Sequence, residues 1–257
     1  MNAHRLVLLA LLATAGLTSG CVSNRAATVV KLDEDDYPES VGPEADPIEI
    51  AKFVKTRNDL ALRLWNKEEL ESCITIMEGL VKHIPSVRAA RYDLGTMYYQ
   101  RAFPKIREYR KYAVETTEKS REAREAAGAE ETRRLKAEAE IAERKMEEAY
   151  KNMRPDLEKC IEQLLIYSEK SPNDPKPFDM LWRAYLMLES YPEALEMITR
   201  LIKWEGILDD AKRDNYQIVQ EQLRRLVYET SSQRRSRRER ALNVPPMNPV
   251  GPGSSNR

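Results

Sequence analysis

The chain has 257 residues, and its 42 basic and 42 acidic side chains leave it with no net formal charge and no overall field that would gather nucleic acid. A hydrophobic content of 42% suffices for one helical core and calls for no second globular domain. Only two histidines occur, and with His4 in the apolar N-terminal segment His83 stands alone near the end of an expected helix, where it is not expected to supply a catalytic triad, a histidine-rich metal site or a histidine relay.

The first segment is apolar. His4 and Arg5 make a short basic start, and Leu6 to Ala15 follow as an apolar run of about ten residues, the length of a signal-peptide core and too short to span a bilayer. Leu17-Thr18-Ser19-Gly20-Cys21 closes it, with small residues that admit a peptidase and a single thiol. Residues 21–46 then carry Asp33, Glu34, Asp35, Asp36, Glu39, Glu44 and Asp46 among Pro38, Gly42 and Pro43, a composition that reads as a disordered acidic linker. Asp46 and Pro47 are an N-cap and first-turn pair for the first helix.

From Asp46 onward apolar residues recur at three and four, and no stretch alternates with period two, so the fold expected is all-α. Leu94, Gly95 and Tyr98 form a short pattern that returns as Phe178, Leu181, Trp182 and Tyr185, and in degenerate form as Arg57, Leu60, Ala61 and Leu64. A second pattern runs Cys73, Met77, Pro85, then Cys160, Leu164, Pro172, then Ala194 and Ile198. Leu60 to Leu94 and Cys160 to Ala194 are each 34 residues apart, whereas Leu94 to Leu181 and Cys73 to Cys160 are each 87. Both landmarks show the same excess of 53, which locates an insertion at 103–155 inside the middle copy, between two parts of one array at 47–102 and 156–206.

The inserted piece has its own periodicity. Leu135, Ala139, Ala142, Met146, Ala149 and Met153 form a heptad seam, and Ile106, Tyr109, Ala113, Thr116, Ser120, Ala123 and Ala127 form a smaller one. With Ala127-Gly128-Ala129 as the reversal, they predict an antiparallel hairpin with arms of about 25 residues, roughly 37 Å long. Pro104 and Pro155 fall near its two bases as expected hinges. Glu115/Lys119, Glu130/Arg134, Glu140/Arg144 and Glu147/Lys151 have the spacing of ion pairs along a helix. A solvated, self-packed hairpin and a contact surface both fit this pattern. Tyr216, Val219, Leu223, Leu226 and Thr230 continue a helical stripe, so 207–230 is expected to be a capping helix. The arginine-rich, then Pro/Gly-rich stretch 231–257 is expected to be disordered.

Two resemblances follow from these residues. The segment ending at Cys21 resembles the signal peptide and lipobox of a bacterial lipoprotein, with Thr18 matching the relaxed form of the motif. That resemblance implies removal of 1–20, a covalent lipid on Cys21 and a membrane tether, and Val22 after the cysteine points to the outer membrane facing the periplasm. Two or more acyl chains hold such an anchor stably. The recurring helix pairs resemble tetratricopeptide (TPR) repeats, whose period is 34 residues. By that resemblance the chain is a short TPR-like helical solenoid of three repeats, the middle one split by the hairpin. Its first helices would line a groove with Asn58, Leu62, Tyr92, Thr96, Tyr99, Lys176, Asp179, Arg183 and Leu186 facing a bound segment. The pattern by which some relatives clamp a terminal carboxylate is not reproduced, since Leu62 and Met180 stand where polar residues are needed.

Together these readings predict a protein–protein interaction scaffold of the cell envelope, serving outer-membrane, secretion or pilus assembly, with an envelope protein or peptide segment as partner and no nucleic acid. The alternative is a structural spacer that forms a homodimer through its hairpin. No phosphate loop, HExxH or nucleophile elbow occurs, so no enzyme, no metal and no cofactor beyond the lipid on Cys21 is expected. Cys73 and Cys160 occupy equivalent places in successive copies, too far apart for a disulfide in stacked helices, and are expected as buried thiols.

Overall fold

The computed structural model describes Gly42 and residues 45–66, 69–204 and 210–242, and these form seven helices with no strand among them. The fold is all-α. The expected signal segment, Cys21, nearly all of the acidic linker and the Pro/Gly-rich end of the tail lie outside the described residues.

Helix α1 (Pro47–Asn66) starts where Asp46 satisfies the first free amides. Asp46 Oδ1 accepts from the backbone N–H of Ile48 at 2.7 Å and of Glu49 at 2.8 Å. Glu49 accepts in return from the Asp46 N–H at 3.3 Å, completing a reciprocal cap. Helix α2 (Leu70–His83) buries Cys73, Ile74, Met77, Leu80 and Val81, an apolar stripe at helical spacing. Two long helices follow, α3 (Arg88–Glu125) and α4 (Ala129–Lys170). The shorter α5 (Lys176–Met187) and α6 (Tyr191–Ile202) come next, and α7 (Asp210–Leu242) closes the chain. Each helix packs on the next in sequence, and α3 also touches α5.

Contacts between α3 and α4 pair early residues of one with late residues of the other: Arg91 with Gln163, Arg101 with Asp156, Tyr109 with Tyr150 and Lys119 with Glu138. The two helices are therefore antiparallel. Gly95 sets how closely they approach, because a Cβ there would lie 2.8 Å from Leu164 Cγ and 3.4 Å from the Cys160 carbonyl oxygen. Leu135, Ala139, Ala142, Met146, Ala149 and Met153 are all buried, as are Ile106, Tyr109, Ala113, Thr116 and Ala123 on α3. The heptad seam is thus occupied within the chain, so a second copy would have to open the α3/α4 pair to reach it.

Three expectations need correction. Pro104 and Pro155 do not interrupt the chain, since both lie inside continuous helices. A proline removes one amide donor from its own turn, but the neighbouring turns here are held across the interface. Asp156, buried beside Pro155, binds Arg101 at 2.7 Å and Lys105 at 2.7 Å, and Arg101 reaches on to Glu71 of α2 at 2.8 Å. Second, Lys119 binds Glu122 at 3.0 Å and Glu138 across the interface at 3.3 Å, and Arg134 also turns to Glu138. Carboxylates on the adjacent turn and facing helix take these cations from the expected partners Glu115 and Glu130. Third, α7 continues past Thr230 to Leu242, so the boundary between cap and tail does not fall where the sequence placed it.

Cys73 and Cys160 are free and buried, and the Cys73 thiol donates to the Ala61 carbonyl at 3.2 Å. Between α5 and α6, Glu189 has φ 57. The Glu189 N–H reaches the Leu186 carbonyl at 3.1 Å and the Ser190 N–H reaches the Tyr185 carbonyl at 2.9 Å, the bonding of a Schellman turn with a carboxylate side chain where glycine is usual.

Candidate functional site

The site is built on one face of α3. Tyr92, Thr96, Tyr99, Phe103 and Arg110 recur at helical spacing and share a stripe. Tyr92 stacks at 5.3 Å, ring centre to ring centre, on Tyr167 of α4, and Thr96 spends its hydroxyl on the Tyr92 carbonyl at 3.0 Å. Tyr99 is partly buried against the core, while Phe103, the next turn along, is 42% exposed.

Helix α5 crosses this stripe and brings Asp179 and Arg183 to it. Asp179 is the hub of the polar contacts there. Its Oδ1 accepts from the Tyr216 hydroxyl of α7 at 2.7 Å, from Trp182 Nε1 at 3.0 Å and from Arg183 at 3.2 Å. Trp182 is fully buried and packs edge-on against the Tyr216 ring, so α7 is pinned to α5 by one ring and one hydroxyl. Burial and the adjacent Asp179 carboxylate push the Tyr216 phenol up to about 12, and both keep it the proton donor. Burial pushes the Tyr99 phenol up as well, against the pull of Arg183 and Arg110. Arg110 is half-buried, its Nε lies out of solvent with no hydrogen-bond partner, and desolvation pushes its guanidinium pKa down.

Of the nine residues expected to line a groove, Tyr92, Thr96 and Tyr99 share the α3 face, and Asp179 and Arg183 act on Tyr99 from α5. Lys176 is exposed at the start of α5. Leu62 is 47% exposed on α1, and Asn58 places a buried Oδ1 there with no hydrogen-bond partner. Among the described residues, no hydrogen bond or ring contact ties these two to the α3–α5 cluster. Leu186 is fully buried and cannot face a bound segment. On so short a helix the core-facing stripe takes the third turn from Arg183, and Leu186 belongs to that stripe with Trp182 and Leu181.

Three residues of this surface were missed. Phe103 and Arg110 lie past residue 102, the expected end of that part of the array, although the steps of four from Tyr99 to Phe103 and of seven from Phe103 to Arg110 keep the same helix face. Tyr216 was assigned to the apolar stripe of a cap, and nothing in its neighbourhood signals that the hydroxyl turns to Asp179.

Among the described residues no group of three potential ligands could hold a metal ion, and no helix is long and apolar enough to cross a membrane. The chain matches no protein-family model, no curated protein and no solved structure. What the fold defines is an all-α protein of sequentially packed helices.

Proposed function

We propose that this is a lipid-anchored scaffold of the bacterial cell envelope that holds a polypeptide segment against the face formed by α3 and α5, and that it binds without catalysis. In this reading α1/α2, the inner halves of α3/α4, and α5/α6 are three TPR-like repeats. The middle pair is extended outward by the residues between 103 and 155, and α7 caps the array. The 34-residue spacing of the landmarks supports the repeat assignment, and the cysteine after Leu17-Thr18-Ser19-Gly20 supports the tether at the outer membrane.

One observation carries the binding role: Tyr99, Arg183, Asp179 and Tyr216 come from three different helices and act on one another, and the exposed Phe103 ring lies one turn along α3 from Tyr99. Aromatic and arginine side chains in such a partly desolvated patch are the usual anchors of a protein interface. The test is photo-crosslinking in cells from Leu62 and Lys176, both exposed and both among the expected groove residues, with Lys82 on α2 as control. Capture of a defined protein from the first two positions and not from Lys82 is the expected result. Equal labelling from all three, or none, contradicts a groove that holds a partner.

A further inference from the structure

Helix α7 carries two stripes with the same spacing. One faces the array: Val219, Leu223 and Leu226 are buried, and Gln220 beside them donates to Thr199 of α6 at 2.7 Å. Nearly opposite, Asp214, Ile218, Glu221, Arg225 and Tyr228 follow steps of four and three, and all five are exposed. Ile218 is 55% exposed and Tyr228 74%, and between them Glu221 binds Arg225 at 3.5 Å along the helix. An open hollow around Ile218 is lined by Asp214, Gln217, Ile218, Glu221, Gln222 and Arg225. These six make two successive sets spaced i, i+3, i+4 and i+7, and a set of four with that spacing is the hole that receives one side chain of a facing helix.

We infer that this outer face of α7 pairs with the same face of a second copy of the chain, the two helices antiparallel about a two-fold axis level with residue 223. Read forward the face runs apolar, acid, base, apolar at 218, 221, 225 and 228, and read backward it runs apolar, base, acid, apolar, so it complements its own reverse. In that register Ile218 meets Tyr228 of the second copy and Glu221 meets Arg225 of the second copy, each contact occurring twice. The Tyr228 ring then enters the hole of Asp214, Gln217, Ile218 and Glu221, four of the residues that line the hollow. A parallel pair would instead set Glu221 on Glu221 and Arg225 on Arg225. A contact of this kind closes on itself as a dimer and needs no other component. The seam from Asp214 to Tyr228 is about 21 Å long, too short for a permanent dimer, so the association is reversible. It uses neither the occupied hairpin seam nor the side of α7 that presents Tyr216 to Asp179, and it stands or falls independently of the proposed scaffold.

The test traps the register as a disulfide, which accumulates even from a minor population of dimer. The full chain in mild detergent is prepared as Ile218→Cys and as Tyr228→Cys, and each is oxidised alone and in an equal mixture. The parent, whose Cys73 and Cys160 are buried, sets the background. The mixture is expected to give a covalent dimer joined through 218 and 228. Neither variant alone should do so, because two copies of either position lie about 15 Å apart along the axis, beyond the roughly 7 Å reach of a disulfide. Glu221→Arg built into both variants should slow the adduct about ten-fold, since both ion pairs turn from attraction to repulsion. Adding Arg225→Glu to that background restores the complementarity and should restore the rate. All four positions are exposed, so the helical circular dichroism of every variant should match the parent's. Equal adduct from the single and mixed samples, no adduct from the mixture, or a rate indifferent to Glu221→Arg overturns the inference. So does a photo-crosslinker at 218 that traps a different protein in cells and no second copy. None of these outcomes bears on the crosslinks from Leu62 and Lys176, which test the scaffold.

Discussion

Glu189 sits in the left-handed region at φ 57, where an L side chain crowds its own carbonyl at a cost of roughly 1 kcal/mol. The backbone N–H groups of Glu189 and Ser190, donating to Leu186 and Tyr185, hold the turn, so Glu189→Gly should raise the free energy of unfolding by about 1 kcal/mol in denaturant melts. Tyr216 gives a prediction of opposite sign. Its folded-state pKa is raised to about 12 from an ordinary 10, so the phenol's contribution is fully present below pH 10 and is lost as the pH climbs toward 12. Tyrosinate absorbance should show this phenol ionising late, and stability between those limits should fall less steeply in Tyr216→Phe than in the parent. At this scale the sequence was only partly readable. Leu94, Gly95 and Tyr98 stood out as a recurring motif, and the close approach of α3 to α4 gives Gly95 its reason, since an added Cβ would lie 2.8 Å from Leu164 Cγ. Arg110 and Tyr216 did not stand out, because an arginine on a charged helix and a tyrosine on an apolar stripe look ordinary until a neighbouring helix is in place.

Helices were legible as elements because an apolar period near 3.6 survives over long stretches, and the seam from Leu135 to Met153 is buried along its whole length. Helix ends were less so. Prolines at 104 and 155 suggested breaks, since an interior proline costs a helix about 3 kcal/mol. That local penalty says nothing about the facing helix, which carries Arg101 and Lys105 at the level of Asp156 and ties the two helices together beside both prolines. Removing the shared carboxylate should therefore loosen the pair at its weakest point. Asp156→Ala is expected to cost about 2 kcal/mol, below the range for fully buried pairs because both cations are partly exposed. Hydrogen exchange should then quicken first around Pro104 and Pro155. Uniform acceleration along α3 and α4 would show that the ion cluster has no local role.

On the scale of the whole molecule, spacing carried more information than any single motif, since one 34-residue interval and one 87-residue interval describe both landmark series. The address rests on different grounds, the apolar run and the cysteine at 21, and the two readings meet in one proposal: a tethered array whose α3/α5 face holds a polypeptide segment at a lipid boundary. The order of the helices follows from short connections, which make sequence neighbours pack together, while the composition of the binding face depends on side chains from α3, α5 and α7 that no local pattern links. The measurement that tests the tethered holder most directly is the membrane-to-soluble partition of the adduct trapped from Leu62, compared between the parent and Cys21→Ser. The account predicts the same adduct from both, held in the membrane fraction by the parent and released to the soluble fraction by Cys21→Ser. An adduct that stays with the membrane after the thiol is removed, or a parent that traps nothing from Leu62, would contradict it.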